Sequence, residues 1–468
     1  MIQFDFDKHD IHHVHFIGIG GISMSAIAEV LINLGYTVSG SDMKASKITD
    51  KLIRKGALIK IGHHADHLPE CDLVVYTAAI QQSNPELVKA KDLGIPVIDR
   101  AEMLGLLMKK FNNSVAVSGT HGKTTTTSMI SLILEYSHYN PTIMVGGELD
   151  EIGGNVKIGG QDYFVTEACE YVESFLKFFP TVGVILNIDA DHLDFFKDMN
   201  HIIQSFTKFA QLLPKNGSLI ANNDDENVKK IFPKVQCNII TYGKNVDSDY
   251  QAHNITYNEQ GFPSFDATYN SQHLGRFQLS IPGNHNIYNS LAAIACCNLV
   301  GVPVEKILLN LSRFKGTHRR FDILGKVNQI TIVDDYAHHP TEVKATLEAA
   351  ARYPHNRLWC IFQPHTYTRT KALLQDFASS FNHADSVIVT DIYAAREKNT
   401  GEIHSKDLAL AISHHHKDAH YMDSFENTAE YIRNHIQPGD LVLTMGAGDI
   451  YKVGEMLLNT LKEVKVTP

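Results

Sequence analysis

The sequence predicts an α/β protein of three domains, and three observations lead there. Its 468 residues suit about three domains of roughly 150 residues each. Twice, near residue 14 and near residue 115, a short apolar strand runs into a glycine-rich turn and then a helix. From about residue 319 onward, apolar strands alternate with helical segments, the signature of a parallel, doubly wound sheet.

The first unit opens with a strand over 14–19 that enters Gly18-Ile19-Gly20-Gly21, a helix over about 23–34, Gly35, and a second strand over 37–39 ending at Asp42. That is a βαβ unit of the dinucleotide-binding type. Further strands over 73–77 and 97–98 complete a small parallel sheet up to about residue 110. Gly18, Gly20 and Gly21 allow close approach of a phosphate, although Ser23 replaces the third glycine of the full fingerprint.

The second unit opens on AVSGTHGKTTTT, a phosphate cradle between a strand and a helix. Gly119 and Gly122 let backbone N–H groups approach phosphate oxygens, with Thr120 and His121 between them. Lys123 can reach the outer phosphates, and the Thr124 or Thr125 hydroxyl is placed to hold Mg²⁺. Val117 stands where the strict P-loop spacing wants its first glycine, so only the second half of that motif is met.

Strands over 163–166 and 182–188 follow, and a β-rich patch occupies 250–279. Glu167 and Glu170 lie just past the first of these strands; Asn187, Asp191, His192 and Asp194 lie past the second. In open parallel sheets ligands bind beyond the carboxyl ends of strands, so these residues should gather beside the lysine loop. Hard oxygen donors with one imidazole suit Mg²⁺ or Mn²⁺. Asp194 also reads as an N-cap for the next helix. In GNHNIYN, His285, Asn286 and Asn289 stand at a helix start, where amides can read a purine edge or simply cap the helix.

The third unit has strands over 330–333, 358–362, 386–390 and 441–444. Arg319 and Arg320 mark its entry. Asp334, Asp335, Tyr336, His338 and His339 cluster at the end of its first strand, a set hard to explain as core. His365 and Arg369 follow the next strand, and an arginine there can pair bidentately with a carboxylate.

With 52 acidic against 42 basic residues and a net charge of −10, a general nucleic-acid or anionic-membrane partner is not expected. Six scattered cysteines without a C-x-x-C pair suggest neither a disulfide framework nor a zinc knuckle, and fit a reducing cytoplasm. Neither a signal-like start nor a run of about 18 apolar residues is seen, so membrane insertion is not expected. His414-His415-His416 reads as a solvated surface run, and His12, His13 and His15 as packing residues.

Taken in order, HFIGIGGISMSAIAEVL, GSD, GTHGKTTT, EACE, DHLD, GNHN, GTHRRFD, DDYAHHPTEV and FQPHTYTRT resemble the Mur ligase family over nearly the whole chain. The resemblance implies an N-terminal Rossmann-like domain over 1–110 for a UDP-sugar, a central P-loop-type ATPase domain over 111–317, and a C-terminal Rossmann-like domain over 318–468. The implied activity is ATP-dependent joining of L-alanine to the lactyl carboxylate of UDP-N-acetylmuramate, a step of peptidoglycan precursor synthesis. By motif, Gly18, Gly20, Gly21 and Asp42 would serve the UDP moiety, and Asn187 would lie near the acceptor. Lys123 and Thr124 would hold ATP phosphate and Mg²⁺, with Glu167 and His192 as metal ligands. His285, Asn286 and Asn289 would lie near the adenine, Arg320 and Asp335 near phosphate and ribose, and Tyr336, His338 and Arg369 on the amino-acid side.

An ionised carboxylate accepts no amine until it is activated, so an acyl phosphate is expected, with Lys123 and Mg²⁺ neutralising phosphoryl charge. His338 or His192 would assist loss of the amine proton. Two departures stand out. Many relatives carry arginine where this chain has Thr366, which leaves Arg369 to hold the carboxylate. Sister ligases use a carbamylated lysine downstream of the metal histidine, but Phe206 and Thr207 occupy that region and Lys208 is out of phase. Competing readings are a nicotinamide-dependent dehydrogenase, which leaves Lys123, Glu167 and His192 idle, a nucleotide-gated binding module, and a recycling ligase for preformed peptides. Relatives of that ligase carry extra residues between the segments that here hold Glu170 and Asp191.

Overall fold

The computed structural model describes residues 10–463 and contains three sheets, one for each expected unit. The first is five-stranded and wholly parallel, in the order Leu58–Ile61, Thr37–Asp42, His13–Ile17, Leu73–Tyr76, Val97–Asp99. Strand 14–19 is shorter than expected and stops at Ile17. Gly18 turns at φ +86°, and the N–H groups of Gly18 and Ile19 both donate to the Ser41 carbonyl. The edge strand Leu58–Ile61 escaped the sequence reading: its apolar residues are mostly exposed and are interrupted by Lys60.

Helix Arg100–Met108 leads out of this unit, started by a capping box between Asp99 and Glu102. A Cβ on Gly105 would meet the Lys177 carbonyl oxygen at 1.9 Å, so glycine is required where this helix presses on the next unit. Lys177 pairs with both Asp99 and Glu102 at the same junction. One continuous apolar core accordingly runs from Phe16 and Ile27 of the first unit through Leu104 to Phe175 and Phe206 of the second.

The central sheet has ten strands. Its middle is parallel: Ser218–Asn222, Val182–Ile185, Asn113–Ser118, Tyr163–Glu167 and Thr142–Leu149 lie side by side. The β-rich patch becomes the antiparallel strands Tyr250–Tyr257, Pro263–Tyr269 and Gln272–Gln278, which extend one edge. Helix Lys123–Tyr136 packs against helix His285–Leu299 over one face, around Ile130, Ile133, Leu291 and Cys297.

The third sheet runs Asp322–Val327, Ile330–Asp335, Leu441–Met445, Leu358–Phe362, Ser386–Val389, Ala419–Tyr421. All neighbours are parallel except the first pair, a hairpin that the expectation of a parallel sheet missed. Asn328 and Gln329 make its two-residue turn at φ +50° and +64°, the left-handed pair such a turn needs. Among the described residues no helix is long and apolar enough to cross a membrane, and all six cysteines are free. The His416 Nε2–H donates to the Ala384 carbonyl beside the end of a helix, with His414 and His415 exposed.

Candidate active site

Three adjacent parallel strands, Asn113–Ser118, Tyr163–Glu167 and Val182–Ile185, end at the same edge of the central sheet. The loops that leave them are the glycine-lysine turn, the Glu167–Glu170 segment and the 186–192 segment. The topology thus collects residues far apart in sequence at the carboxyl edge, where open α/β sheets bind ligands.

The glycine turn is tightly determined. Gly119 and Gly122 have φ +143° and +85°, and a Cβ on Gly122 would lie 2.5 Å from Asn289 Oδ1. The Asn187 side chain clamps the turn, accepting from the His121 N–H at 2.8 Å and donating to its carbonyl at 3.0 Å. Lys123 folds back over its own loop, donating to the carbonyls of Gly119 (2.6 Å) and Thr120 (3.0 Å) and pairing with the buried Glu170 carboxylate at 3.0 Å. Burial opposes the lysine's charge, but Glu170 outweighs it and raises the Lys123 pKa.

Glu167 accepts from the Gly146 N–H at 2.6 Å, and the Thr124 methyl faces neighbouring Gly147. His192 takes a left-handed φ of +54° and brings Nε2 within 3.9 Å of Glu170 and 3.8 Å of Asp191. Hydroxyl, carboxylate and imidazole around the phosphate turn are a donor set suited to Mg²⁺ or Mn²⁺. Among the described residues, a different trio, His121, Asp189 and His339, brings its ligand atoms within 4.8 Å of one another. Asp194 is not the expected N-cap: Asp198 caps helix Met199–Gln211, and Asp194 accepts from the Tyr171 hydroxyl at 3.0 Å.

A cavity of about 390 Å³ lies between the central and third sheets. His121, Gly122, Thr125 and Asn187 line its phosphate end, and His285, Asn286, Asn289, Arg320 and Asp335 line the rest. Sequence reasoning missed Asp225, Tyr242, Tyr288 and Glu342, which share this lining; Asp225 and Tyr242 stand outside the recognised motifs, while Tyr288 and Glu342 lie within them but were given no role. Burial pushes His285 down to about 4 and Asp335 up to about 6, although Arg320 works against the latter shift.

A second cavity, of about 480 Å³, adjoins it and is lined by Tyr171, Asp191, His192, His365, Thr366, Arg369 and Arg396. Arg369 donates twice to Asp191 (2.8 and 3.1 Å) and contacts His365 Nδ1 at 3.0 Å. Burial would raise the Asp191 carboxyl, but the guanidinium holds it well below the usual range. Thr366 is the N-cap of the short helix carrying Arg369, at φ +64°. The exposed Arg396, absent from the sequence reading, supplies a second guanidinium here. His338 lies beside His365 at a ring separation of 5.5 Å, and burial lowers its pKa to about 4. Tyr336 stands apart from this cavity's lining, its ring covered by the Arg319 and Arg320 guanidinium groups.

In the first unit, Gly18, Gly20 and Gly21 form the turn at the carboxyl edge of the five-stranded sheet. Asp42 accepts from the Gly20 N–H at 2.8 Å, and a Cβ on Gly20 would meet that carboxylate at 2.9 Å. His13 and His15 belong to a packing network, as expected. His15 bridges Ser39 (2.8 Å) and the buried Glu86 (2.9 Å), which also holds Ser41 and His63.

Three family models match the chain: Mur ligase family, catalytic domain, over residues 13–112; Mur ligase middle domain over 117–297; and Mur ligase, glutamate ligase domain over 319–448. The chain is 58% identical to a UDP-N-acetylmuramate–L-alanine ligase of Alkaliphilus metalliredigens, covering 98% of this chain and 99% of that one. Its fold is similar to that of the UDP-N-acetylmuramate-alanine ligase MurC of Thermotoga maritima, with a TM-score of 0.79 at 28% identity over 97% of this chain and 99% of that one. A murein peptide ligase of Psychrobacter arcticus matches with a TM-score of 0.69 at 27% identity, over 96% and 98% of the two chains.

Proposed function

Because the chain belongs to the Mur ligase family, we propose that it joins L-alanine to the lactyl carboxylate of UDP-N-acetylmuramate with ATP as the second substrate, as its near-full-length relatives are named for doing. The observation that carries this reading is the meeting of two unlike cavities along one seam. One is a nucleotide-sized space ending at a glycine-lysine turn; the other is arginine-lined and suited to a carboxylate.

Residues 1–110 receive the UDP-sugar on Gly18, Gly20, Gly21 and Asp42; residues 111–317 receive ATP; and residues 318–468 close over both. Asn286 and Asn289 face the base, and Arg320 and Asp335 the ribose and phosphates. Gly119 to Thr125 cradle the phosphate tail. Thr124, Glu167 and His192 would hold Mg²⁺ or Mn²⁺, which supplies charge neutralisation on the phosphoryl oxygens. Lys123 adds a fixed cation on the same side, released toward phosphate from its contact with Glu170.

The lactyl carboxylate attacks the γ-phosphoryl group, the β–γ bond breaks and ADP leaves, giving an acyl phosphate; the alanine amine then attacks the acyl carbon, loses a proton, and phosphate leaves. Arg369 orients the alanine carboxylate once Asp191 yields it, and Asn187 keeps the phosphate turn shaped near the acceptor. Burial keeps His338 neutral near pH 7 but also makes it a weak base, so it assists by position, holding the amine beside the acyl carbon; His192 serves better as a metal ligand. Dependence on ATP and a UDP-sugar places this chemistry in the cytoplasm.

The test is direct. Purified protein with UDP-N-acetylmuramate, L-alanine, ATP and Mg²⁺ should release one phosphate per product bearing the added alanyl mass. Phosphate release independent of alanine, or preference for a preformed peptide over alanine, would overturn the reading.

A further inference from the structure

Glu342 lines the nucleotide-sized cavity and is linked through His338 to His365, which lines the second; it has no part in the chemistry above. It lies in the first turn of helix Pro340–Arg352, whose N-cap is His339. Its Oε2 accepts from the His338 N–H at 3.0 Å and lies 3.3 Å from His338 Nδ1. Its Oε1 lies 3.0 Å from Nδ1 of His121, inside the glycine-lysine turn of another domain. The carboxylate is largely buried, and the charged His121 imidazole, with the His338 backbone N–H, holds it in its charged form against the cost of burial.

A glutamate reaching back to an N–H at a helix start is a common capping arrangement. Capping explains Oε2 alone. It does not explain Oε1, which crosses the domain seam to the one imidazole in the phosphate turn. His121 is also tied to Asp189 at 3.1 Å, and burial's tendency to discharge it is outweighed by the two carboxylates, which push its pKa up to about 9. Thr341 donates to the same Asp189 at 2.7 Å, and His339 meets the Ala190 carbonyl at 3.0 Å, so the start of this helix is pinned to the central domain beside the phosphate turn. On its far side, His338 leads to His365, which touches Arg369 at 3.0 Å.

We propose that Glu342 is a positioning residue that couples the two cavities: a phosphate tail settling on the glycine turn fixes His121, and through Glu342 this fixes the backbone of His338 at the edge of the amino-acid cavity. The inference rests on the ligase reading, and it concerns the order in which the two cavities become competent. Binding of nucleotide should therefore improve binding of alanine, within the range of about 5- to 150-fold common for coupled sites.

The decisive variant is Glu342→Gln. Glutamine keeps the cap, but its one carbonyl oxygen cannot face both the His338 N–H and His121; an NH₂ donor must replace one of the two carboxylate oxygens. The expected result is a rise in KM for alanine of about tenfold, with KM for ATP and for UDP-N-acetylmuramate changed less than about threefold. In equilibrium binding, a non-hydrolysable ATP analogue should tighten alanine binding to the wild-type enzyme but leave binding to Glu342→Gln unchanged. An unchanged alanine KM, equal rises for alanine and ATP, or coupling that survives in the variant would each overturn the proposal. A wild-type protein that forms no ATP-dependent amide would instead overturn the ligase reading itself.

Discussion

Replacing Lys123 by alanine should damage stability and activity for separable reasons. Glu170 is buried, its side chain 3% exposed against 17% for Lys123; the lysine lies 3.0 Å from it, whereas the His192 imidazole stands back at 3.9 Å. Removing one partner of a buried ion pair leaves the other charge uncompensated, a cost of about 3–5 kcal/mol. The partial exposure of the lysine points to the lower end, about 3 kcal/mol, or about 6–12 °C in the melting midpoint of a unit of this size. Turnover should fall at least about 10²-fold, the effect of losing one fixed stabilising group. Adding Glu170→Gln removes the orphaned charge, so the double variant should regain most of the stability and none of the turnover. Because a three-domain chain need not unfold in one step, urea midpoints of the four members of the cycle are the measure. A Lys123→Ala protein as stable as wild type, or a double variant no more stable than Lys123→Ala, would refute the reasoning.

Gly122→Ala should raise KM for ATP at least about tenfold. The left-handed conformation alone costs an L residue about 1–2 kcal/mol, and the added carbon would sit 2.5 Å from Asn289 Oδ1; circular dichroism should show the fold retained. Arg369→Lys loses the planar fork and should raise KM for alanine by about 1–2 orders of magnitude while leaving KM for ATP nearly unchanged, as measured by phosphate release. Glu167→Gln should increase the Mg²⁺ concentration needed for half-maximal rate, with the melting midpoint little changed; an unaltered Mg²⁺ dependence would exclude it as a ligand. Acidification should destabilise the fold. His285, His338 and His365 are depressed to about 4, so the unfolded chain binds more protons and their contribution is lost as pH falls from about 6.5 through about 4. Asp335, raised to about 6, works in the opposite direction, its contribution being lost as pH rises from about 4 through about 6. His121, raised to about 9, opposes the three histidines too, its contribution being lost as pH rises from about 6.5 through about 9. Three groups against two leave a net loss, read as a lower urea midpoint at pH 5 than at pH 7.5; a higher midpoint would contradict the assignments.

Strands buried on both faces were readable in several places but not everywhere: Ser218–Asn222 is fully buried, and its mixed Ser-Leu-Ile-Ala-Asn run went unread. Leu358–Phe362 is apolar throughout and was found with its true ends, whereas Leu58–Ile61, short, broken by Lys60 and mostly exposed at a sheet edge, was missed. The hairpin through Asn328 and Gln329 was hidden because its turn uses left-handed residues other than glycine. The phosphate turn was legible because its glycines answer a local backbone demand: positive φ and close approach leave a mark in the sequence at the site itself. The family motifs carried the remaining site residues, yet they could not reveal what each side chain touches.

By itself, the sequence determined the three α/β units, the phosphate turn and the membership of a set of polar residues at strand ends, because these follow from local periodicity and from backbone conformations open mainly to glycine. The tertiary structure alone decided that Lys123 rests on Glu170, that Arg369 is held by Asp191 across the domain seam, and that Glu342 reaches His121. Each of these is a pairing of opposite charges brought together from separate parts of the chain. Spacing in sequence carries no information about such pairs, since only the packing of one sheet's carboxyl edge against another domain brings them within 3 Å or so.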